Sequence, residues 1–237
     1  MSQLLYRTLL IVLLLTTLFS AQGIIGLWEI KNVTVGEESM TPIAKWTNIK
    51  PDGTYTSGNG WLQNSQGTWN YDEDKKELTN TETIGLIDEF GAFNVSFADD
   101  NMIWERVEEG MNVTVILQKI ETIPQAPADM SQGLWDLVSA TDGEKDITNS
   151  FDPENKYYIF IRWDRIYVER TPEGNRETGY WHMHGHRPEI TLLPHNPDKQ
   201  PESWRVENSM SKLVLTGISD SNKGKVYKFK RLNQFPE

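Results

Sequence analysis

The chain has 237 residues, a formal net charge of −11 and no cysteine. Without cysteine the protein has no disulfide framework and no thiolate metal site, so its stability must come from the burial of apolar surface. The strong negative charge opposes binding to phosphate backbones and anionic lipids, and no nucleic acid is therefore expected as a partner.

The first predicted element is a signal peptide over residues 1–23. Arg7 supplies a positive charge, the stretch from Leu9 to Phe19 is apolar but too short to span a bilayer, and Ala21-Gln22-Gly23 offers small residues for cleavage. We therefore expect an exported protein, periplasmic or secreted, with an uncleaved membrane anchor as the alternative. No later segment is apolar enough to cross a membrane, so we expect no transmembrane anchor in the mature chain.

An internal repeat follows the signal peptide. Gly26-Leu27-Trp28-Glu29 recurs 107 residues later as Gly133-Leu134-Trp135-Asp136, and Gly67-Thr68-Trp69 recurs as Gly179-Tyr180-Trp181. Self-similarity over such a distance indicates two copies of one structural unit.

The repeat defines the domain organisation. We predict one domain over residues 24–120 and a second over residues 133–232, followed by a C-terminal tail of residues 233–237. Residues 121–132 contain two prolines and several small side chains, so they are predicted to form a semi-extended linker and no regular element.

Within each copy the apolar residues alternate with polar ones. Val113, Val115 and Leu117 share one face of a predicted strand, and this pattern recurs about eight times per copy. Closure of such a sheet on itself removes its unpaired edges. We therefore predict an all-β protein of two tandem up-and-down antiparallel β-barrels, with an open two-sheet sandwich as the alternative.

The motifs of the first copy resemble those of bacterial lipocalin-like domains, which are small calycin-type barrels. A glycine-x-tryptophan opens the first strand, a later hairpin reads Asp52-Gly53-x-Tyr55, and a glycine-threonine-tryptophan follows. The second copy keeps these motifs, including Tyr167, except that Trp163-Asp164-Arg165 replaces Pro51-Asp52-Gly53. The resemblance covers nearly all of the mature chain and implies a barrel that binds small molecules.

The resemblance also implies a structural role for two tryptophans. In lipocalin barrels a tryptophan of the first strand closes one end and packs beneath an arginine. Trp28 and Trp135 match that tryptophan, and Arg106 and Arg231 are the candidate partners.

Ligand contacts are then expected at the opposite end of each barrel. The candidates are aromatic residues near predicted turns and strand ends, since exposed aromatic side chains favour stacking on flat apolar molecules or sugars. Packing within the barrel or between the barrels is the alternative role for these residues, which are Trp46, Tyr55, Trp61, Tyr158, Trp163 and Tyr167.

The four histidines lie close together in the sequence. His182, His184 and His186 are spaced by two residues, and His195 follows nine residues later. Matching with the first copy predicts a strand that ends near Met183, a turn through Gly185 and a return strand from Glu189. These histidines form either a weak zinc or copper site or a solvated hairpin tip.

The sequence contains no motif that indicates catalysis. It has no cysteine nucleophile, no Gly-x-Ser-x-Gly and no His-Glu-x-x-His, so we expect neither an enzyme nor a cofactor. We predict an exported protein that binds a small apolar or aromatic molecule in or at the mouth of a barrel. One alternative is an interaction module whose filled barrels present loops to a protein or glycan. The other is a hydrolase or metal-handling protein that uses the region from His182 to His195.

Overall fold

The computed structural model describes residues 23–185 and 187–236, and most of its regular structure is β-strand. Residues 1–22 of the predicted signal peptide lie outside the described residues. The chain divides into two units, residues 1–125 and residues 126–237. In the part of the chain that the model describes, no helix has the length and apolar character needed to cross a membrane.

The first unit is a closed barrel. Strand β1 pairs with β3 on one side and with β9 on the other, so eight strands form a closed antiparallel sheet and β2 extends the end of β1. The strands described in this unit are β1 (Gly26–Val35), β2 (Glu38–Met40), β3 (Trp46–Ile49), β4 (Thr54–Asn59), β5 (Leu62–Asp72), β6 (Glu77–Ile84), β7 (Phe93–Ala98), β8 (Asn101–Glu108) and β9 (Met111–Ile120).

The second unit repeats this barrel and adds two short helices. Strand β10 pairs with both β12 and β18 and thereby closes an eight-stranded sheet, from which β11 extends. The elements described are α1 (Pro127–Ser131), β10 (Gly133–Asp142), β11 (Lys145–Asp146), α2 (Thr148–Phe151), β12 (Tyr158–Ile161), β13 (Ile166–Arg170), β14 (Arg176–Met183), β15 (Glu189–Pro194), β16 (Glu202–Asn208), β17 (Lys212–Gly217) and β18 (Lys225–Leu232).

The strand registers of the two barrels correspond. Gly26 lies opposite Ile49 in the first barrel, as Gly133 lies opposite Ile161 in the second. The first strand of each barrel carries a bulge at the same place, after Ile30 and after Leu137. The prediction of two tandem antiparallel barrels is confirmed, and the open sandwich is excluded because both sheets close.

The period of two along the strands explains which side chains fill the interiors. On β17 and β18, Leu213, Leu215, Tyr227 and Phe229 are buried, whereas the residues between them are more exposed. Successive side chains of a strand point to opposite faces of the sheet, so one face of each strand supplies the core.

Each barrel has two distinct ends. We call the base the end at which β1 or β10 begins and the mouth the opposite end. At the base, the Nε1 of Trp28 donates a hydrogen bond to the Ile24 carbonyl at 2.8 Å, and that of Trp135 donates to the Ser131 carbonyl at 2.7 Å. Both indoles are buried. Because the chain reverses at each hairpin, the turns after β4, β6 and β8, and after β13, β15 and β17, lie at the mouths.

The predicted linker of residues 121–132 is partly helical. Helix α1 begins with Pro127, whose fixed φ suits a first helical position, and the Asp129 carboxylate accepts a hydrogen bond from the Ala126 N–H at 2.9 Å. The Asn208 side chain ties this helix to the barrel by donating to the Pro127 carbonyl and the Ser131 hydroxyl, both at 2.8 Å. The prediction of a semi-extended spacer was therefore wrong for residues 127–131, because a helix of one turn leaves no periodic signal.

Candidate ligand-binding site

The base of the second barrel is closed by Arg231. Its guanidinium carbon lies 4.2 Å from the centre of a ring of Trp135, and its three nitrogens donate to backbone carbonyls, including those of Gln132 at 2.7 Å and Met130 at 2.8 Å. Gly133 has a φ of 140°, and a Cβ at this position would lie 2.1 Å from an Arg231 nitrogen. The glycine-x-tryptophan motif is thus explained by the arginine that packs across it.

The base of the first barrel is built differently, and Arg106 is not part of it. The Lys119 ammonium, 5.4 Å from the ring centre, is the cation over Trp28. Strand β8 places Arg106 opposite Val113, which in turn lies opposite Val35 at the mouth end of β1. The expectation that Arg106 packs on Trp28 was therefore wrong, because the antiparallel register carries Arg106 to the other end.

Arg106 instead occupies the mouth of the first barrel. Its guanidinium carbon lies 3.8 Å from the centre of the Phe93 ring, and its side chain is only 10% exposed. It donates to the Asp88 carboxylate at 2.5 Å and to the Glu108 carboxylate at 2.6 Å. A further bond to the Gly91 carbonyl at 2.9 Å ties the loop between β6 and β7 to this arginine. The mouth is therefore occupied by an ion-paired side chain and the loop that it holds.

The mouth of the second barrel contains a cavity of about 650 Å³. Its wall includes side chains from α2, β12, β13, β15, β16, β17 and β18, and its rim comes from the turns and loops at the mouth. Five aromatic rings contribute to the wall, namely Phe151, Tyr157, Tyr167, Trp204 and Tyr227. Two cavities of the first unit, of about 540 and 360 Å³, lie elsewhere: one is beside Trp28 at the base and one is against β4 and β5.

The two barrels differ at matching positions near this space. In the first barrel Trp104 lies opposite Val115, and in the second Leu215 lies opposite Tyr227. The smaller Leu215 lines the cavity. Two residues further toward the mouth, where the first barrel has Arg106, the second has Gly217, and Asn222 packs against it: a Cβ at Gly217 would lie 2.0 Å from the Asn222 carbonyl oxygen.

Charged groups surround the mouth of this cavity. The Glu169 carboxylate accepts a hydrogen bond from the Tyr157 hydroxyl at 2.9 Å, and the Lys199 ammonium lies 3.7 Å from it. Lys199 forms a closer ion pair with Glu177. Burial raises the pKa of Glu169, and Glu177 and Glu202 add to the rise while Tyr157 and Lys199 oppose it.

Two tyrosines of the wall have raised pKa values. Burial is the main cause that raises the pKa of Tyr227 to about 12, and the next causes are the charges of Glu202 and Glu169. The pKa of Tyr167 is raised in the same way, by burial first and then by nearby glutamates. Both hydroxyls therefore stay protonated at neutral pH.

The predicted ligand contacts are distributed over both barrels. Tyr167 is buried and lines the cavity of the second barrel. Trp46 and Tyr55 are buried in the first barrel, where the Trp46 Nε1 donates to the Gly60 carbonyl at 2.9 Å and the Tyr55 hydroxyl donates to Glu82 at 2.9 Å. Tyr158 is half-buried on the outer face, with its ring centre 5.7 Å from that of Phe235.

The two turn tryptophans are both exposed but lie at different ends. Trp61 is 61% exposed in the turn between β4 and β5, at the mouth of the first barrel. Trp163 is 80% exposed in the turn between β12 and β13, which lies at the base of the second barrel. The expectation that Trp163 lies at the ligand end was therefore wrong, because successive hairpins alternate between the two ends.

Several cavity residues were missed as site residues. Trp204 and Tyr227 are signalled by their inward positions on alternating strands, yet this pattern equally describes a filled core. Tyr157, Glu169 and Lys199 carry no signal of their own. Their proximity arises only when α2 and the loop after β15 fold over the mouth.

His182 and His195 lie apart in the second barrel. Strand β14 ends at Met183 and β15 begins at Glu189, as expected, and His182 is exposed. The His195 ring lies against Tyr180 and its Nδ1 is 2.9 Å from the Thr178 hydroxyl. Thr178 is four residues before His182 on the same strand, a separation of roughly 13 Å.

The metal hypothesis involves a residue that lies outside the described residues, His186. Residues 23–185 and 187–236 contain no group of three or more His, Cys, Asp or Glu side chains that could hold a metal ion. A zinc or copper site at His182, His184, His186 and His195 therefore stays a prediction.

Comparisons with known proteins show a distant likeness to a solved structure. No protein family model and no curated protein matches the chain. Among solved structures the chain is similar to the crystal structure of a DUF4847 family protein from Bacteroides vulgatus ATCC 8482, with 12% identity and a TM-score of 0.32. The match covers 44% of this chain and 96% of that chain. A likeness of this size assigns neither a family nor a ligand.

Proposed function

We propose that this protein binds a small apolar or aromatic molecule non-covalently in the cavity of its second barrel. The observation that carries the proposal is the cavity itself. Its volume of about 650 Å³ falls within the range of roughly 300–1,000 Å³ that is usual for ligand pockets. Five aromatic rings and the aliphatic side chains of Ile159, Leu192 and Leu215 supply apolar wall.

The remaining parts of the proposal rest on the sequence. The glycine-x-tryptophan motifs support a lipocalin-like protein, and the apolar stretch before residue 23 supports export to the periplasm or the medium. The absence of catalytic motifs from the sequence supports a binding protein that makes and breaks no bond. Isolation of the processed protein from the periplasm or the medium, with its N-terminus sequenced, tests export.

The binding test uses substitutions that fill the cavity with a larger side chain. Leu215→Trp introduces into the second barrel the residue type that the first barrel carries at the matching position, and Leu192→Trp fills the wall from another strand. With a fluorescent dye such as ANS as the probe, the unmodified protein should show saturable, displaceable binding. Each filling variant should weaken that binding by at least about tenfold, since the site loses the space that the probe occupies.

Val138→Trp is the matched control, because it adds an indole on an exposed outer position of β10. Denaturant unfolding of all variants verifies that each remains folded. Absence of saturable binding by the unmodified protein, or equal binding by the folded filling variants, contradicts the proposal.

A second candidate function is favoured by an apolar rim at the mouth of the first barrel. The rim comprises exposed side chains of three loops and of the adjoining ends of β2 and β5. A 3.2 Å hydrogen bond from the Asn64 amide on β5 to the Ile43 carbonyl joins two of these segments. Exposed apolar patches often mark protein interaction sites. The rim residues are Met40, Ile43, Trp61, Leu62, Leu86 and Ile87.

Self-association is the direct test of this interaction module. If the rim pairs with a second copy of the chain, light scattering should show a mass that increases with concentration. The double variant Leu86→Ser, Ile87→Ser should then remain monomeric, while Val138→Ser should behave as the unmodified protein. A monomer at all concentrations rules out self-pairing through the rim.

A further inference from the structure

We propose that the ligand of the second barrel is an organic cation: an ammonium group attached to an aromatic or apolar body. The body enters among the aromatic rings, and the ammonium group lies beside Glu169 and Glu202 near the mouth. This inference rests on the proposed function of the same cavity and specifies the charge of what it binds.

The first argument is the excess of carboxylates. Glu169, Glu173 and Glu202 line the cavity together with Lys199 and Lys225. Glu177 stands beside them and holds Lys199 in its closer ion pair. Four carboxylates thus face two ammonium groups, and the entrance attracts cations and repels anions.

The second argument is the incomplete pairing of Glu169. Its side chain is only 13% exposed, and its contacts are the neutral Tyr157 hydroxyl and the ammonium of Lys199 at 3.7 Å. Removal of a carboxylate from water is unfavourable unless a cation and hydrogen bonds compensate it. Since Lys199 lies closer to Glu177, a cationic ligand would supply the compensation that Glu169 lacks.

The third argument is the arrangement of the rings. Phe151 and Tyr227 have ring centres 5.0 Å apart, Phe151 and Tyr157 are 5.2 Å apart, and Trp204 and Tyr227 are 5.0 Å apart. The faces of such rings attract ammonium groups, most strongly where water is excluded. The aromatic rings and the carboxylates thus both favour a positively charged ligand.

A buried donor also lies in the cavity wall. Trp204 is 3% exposed, and its Nε1 has no hydrogen-bond partner among the described residues. Buried polar groups are nearly always hydrogen-bonded, so an oxygen of a bound ligand would satisfy this N–H. The Nε1 of Trp104 in the first barrel is in the same state, so the charge inference rests on the carboxylates and rings and not on this donor.

An anionic ligand held by Lys199 is the competing possibility. The contacts of Lys199 with Glu177 and Glu169 raise its pKa in spite of the opposing effect of burial, so the lysine is already engaged by two carboxylates. An anion would have to displace them while it faces Glu202 and Glu173. The arrangement thus favours a cation over an anion.

The test compares three probes of one shape and different charge: 2-phenylethylammonium, 2-phenylethanol and phenylacetate. Calorimetric titration at pH 7 and low salt should give the ammonium probe an affinity at least about tenfold above that of the alcohol, with phenylacetate weakest. Glu169→Gln should remove most of the preference for the cation and change the affinity for the alcohol by less than about twofold. Glu207→Gln, at an exposed position of β16 toward the base, is the control for the loss of one carboxyl group.

The outcomes separate this inference from the proposed function. If the alcohol binds saturably and Leu215→Trp abolishes its binding, but the ammonium probe has no advantage, the cavity binds ligands and the charge inference is wrong. An equal cation preference in Glu169→Gln and the unmodified protein also overturns it. If neither these probes nor the dye binds, the proposed function itself fails.

Discussion

In the first barrel an arginine fills the mouth, whereas the matching position of the second barrel is a glycine. Arg106 bridges Asp88 and Glu108 and packs on Phe93, and the β6–β7 loop is held to it. At Gly217 the second barrel has no side chain and Asn222 packs against the backbone, while the cavity is lined by five aromatic residues and by Leu215, which matches Trp104. Several substitutions within a duplicated scaffold thus accompany the difference between a filled barrel and one with a cavity.

The bases of the two barrels also differ, and here the second barrel has the more extensive contacts. Arg231 bonds three backbone carbonyls and packs on Trp135, whereas Lys119 lies 5.4 Å from the ring of Trp28 and is itself exposed. The barrel with the open mouth therefore has the more firmly held base.

The largest expected effect follows from removal of the arginine that fills the first mouth. Arg106→Met leaves the carboxylates of Asp88 and Glu108 without their common partner. Since an uncompensated charge in a largely buried site is strongly destabilising, we expect a loss of about 3 kcal/mol in the stability of the first barrel. Hydrogen exchange resolved by peptide should show faster exchange in β7 to β9 and no change in β16 to β18.

A triple variant tests whether the unpaired carboxylates cause this loss of stability. Arg106→Met combined with Asp88→Asn and Glu108→Gln removes the unpaired charges together with the arginine, so it should recover more than half of the lost stability. If the triple variant is as unstable as the single one, the loss is due to packing on Phe93 and the electrostatic explanation is wrong.

A smaller difference in stability is expected between variants at the bases of the two barrels. Arg231→Met removes three hydrogen bonds and the contact with Trp135, and we expect it to destabilise the second barrel by about 2 kcal/mol. Lys119→Met should lower the stability of the first barrel by less than about 0.5 kcal/mol, because an exposed cation over a ring contributes little. Equal losses measured by hydrogen exchange in the two barrels would show that the bases are energetically alike.

The architecture could be predicted from the sequence because it depends on repeated local patterns. The strand period of two and the recurrence of Gly26-x-Trp28 as Gly133-x-Trp135 are enough to identify two copies of one barrel. Even the substituted hairpin keeps its geometry. Arg165 has a φ of 67° where Gly53 has 81°, and its guanidinium carbon lies 4.4 Å from a ring centre of Trp181.

The site could not be predicted because it depends on which end of the barrel each residue reaches. Arg106 and Trp163 were both assigned to the wrong end, although their types and strands were identified. The number of hairpins that precede a residue and the strand register together decide which end of the barrel it reaches. A short motif contains neither of these. Leu215 in the cavity wall adds to this difficulty, because its small size is informative only by comparison with Trp104 at the matching position of the first barrel.

The smallest expected effect is a change of stability with pH that is due to Glu169 at the mouth of the second barrel. Burial raises the pKa of Glu169 in the folded protein above its value in the unfolded chain. At a pH between these two pKa values the folded state binds more protons than the unfolded state. The contribution of Glu169 to the unfolding free energy is therefore complete below the unfolded pKa, and it is lost as pH increases through the folded pKa. Glu169→Gln stays uncharged at every pH and should lack this loss.

The measurement is the difference in unfolding free energy between Glu169→Gln and the unmodified protein from pH 4 to pH 8. We expect this difference to change with pH in favour of the glutamine variant, since only the unmodified protein must keep a buried carboxylate ionised at high pH. An ammonium probe bound in the cavity should reduce the change, because it stabilises the ionised carboxylate. A difference that is constant with pH, or that favours the unmodified protein as pH increases, would mean that Lys199 already compensates Glu169 and that the second mouth has no charge left for a ligand.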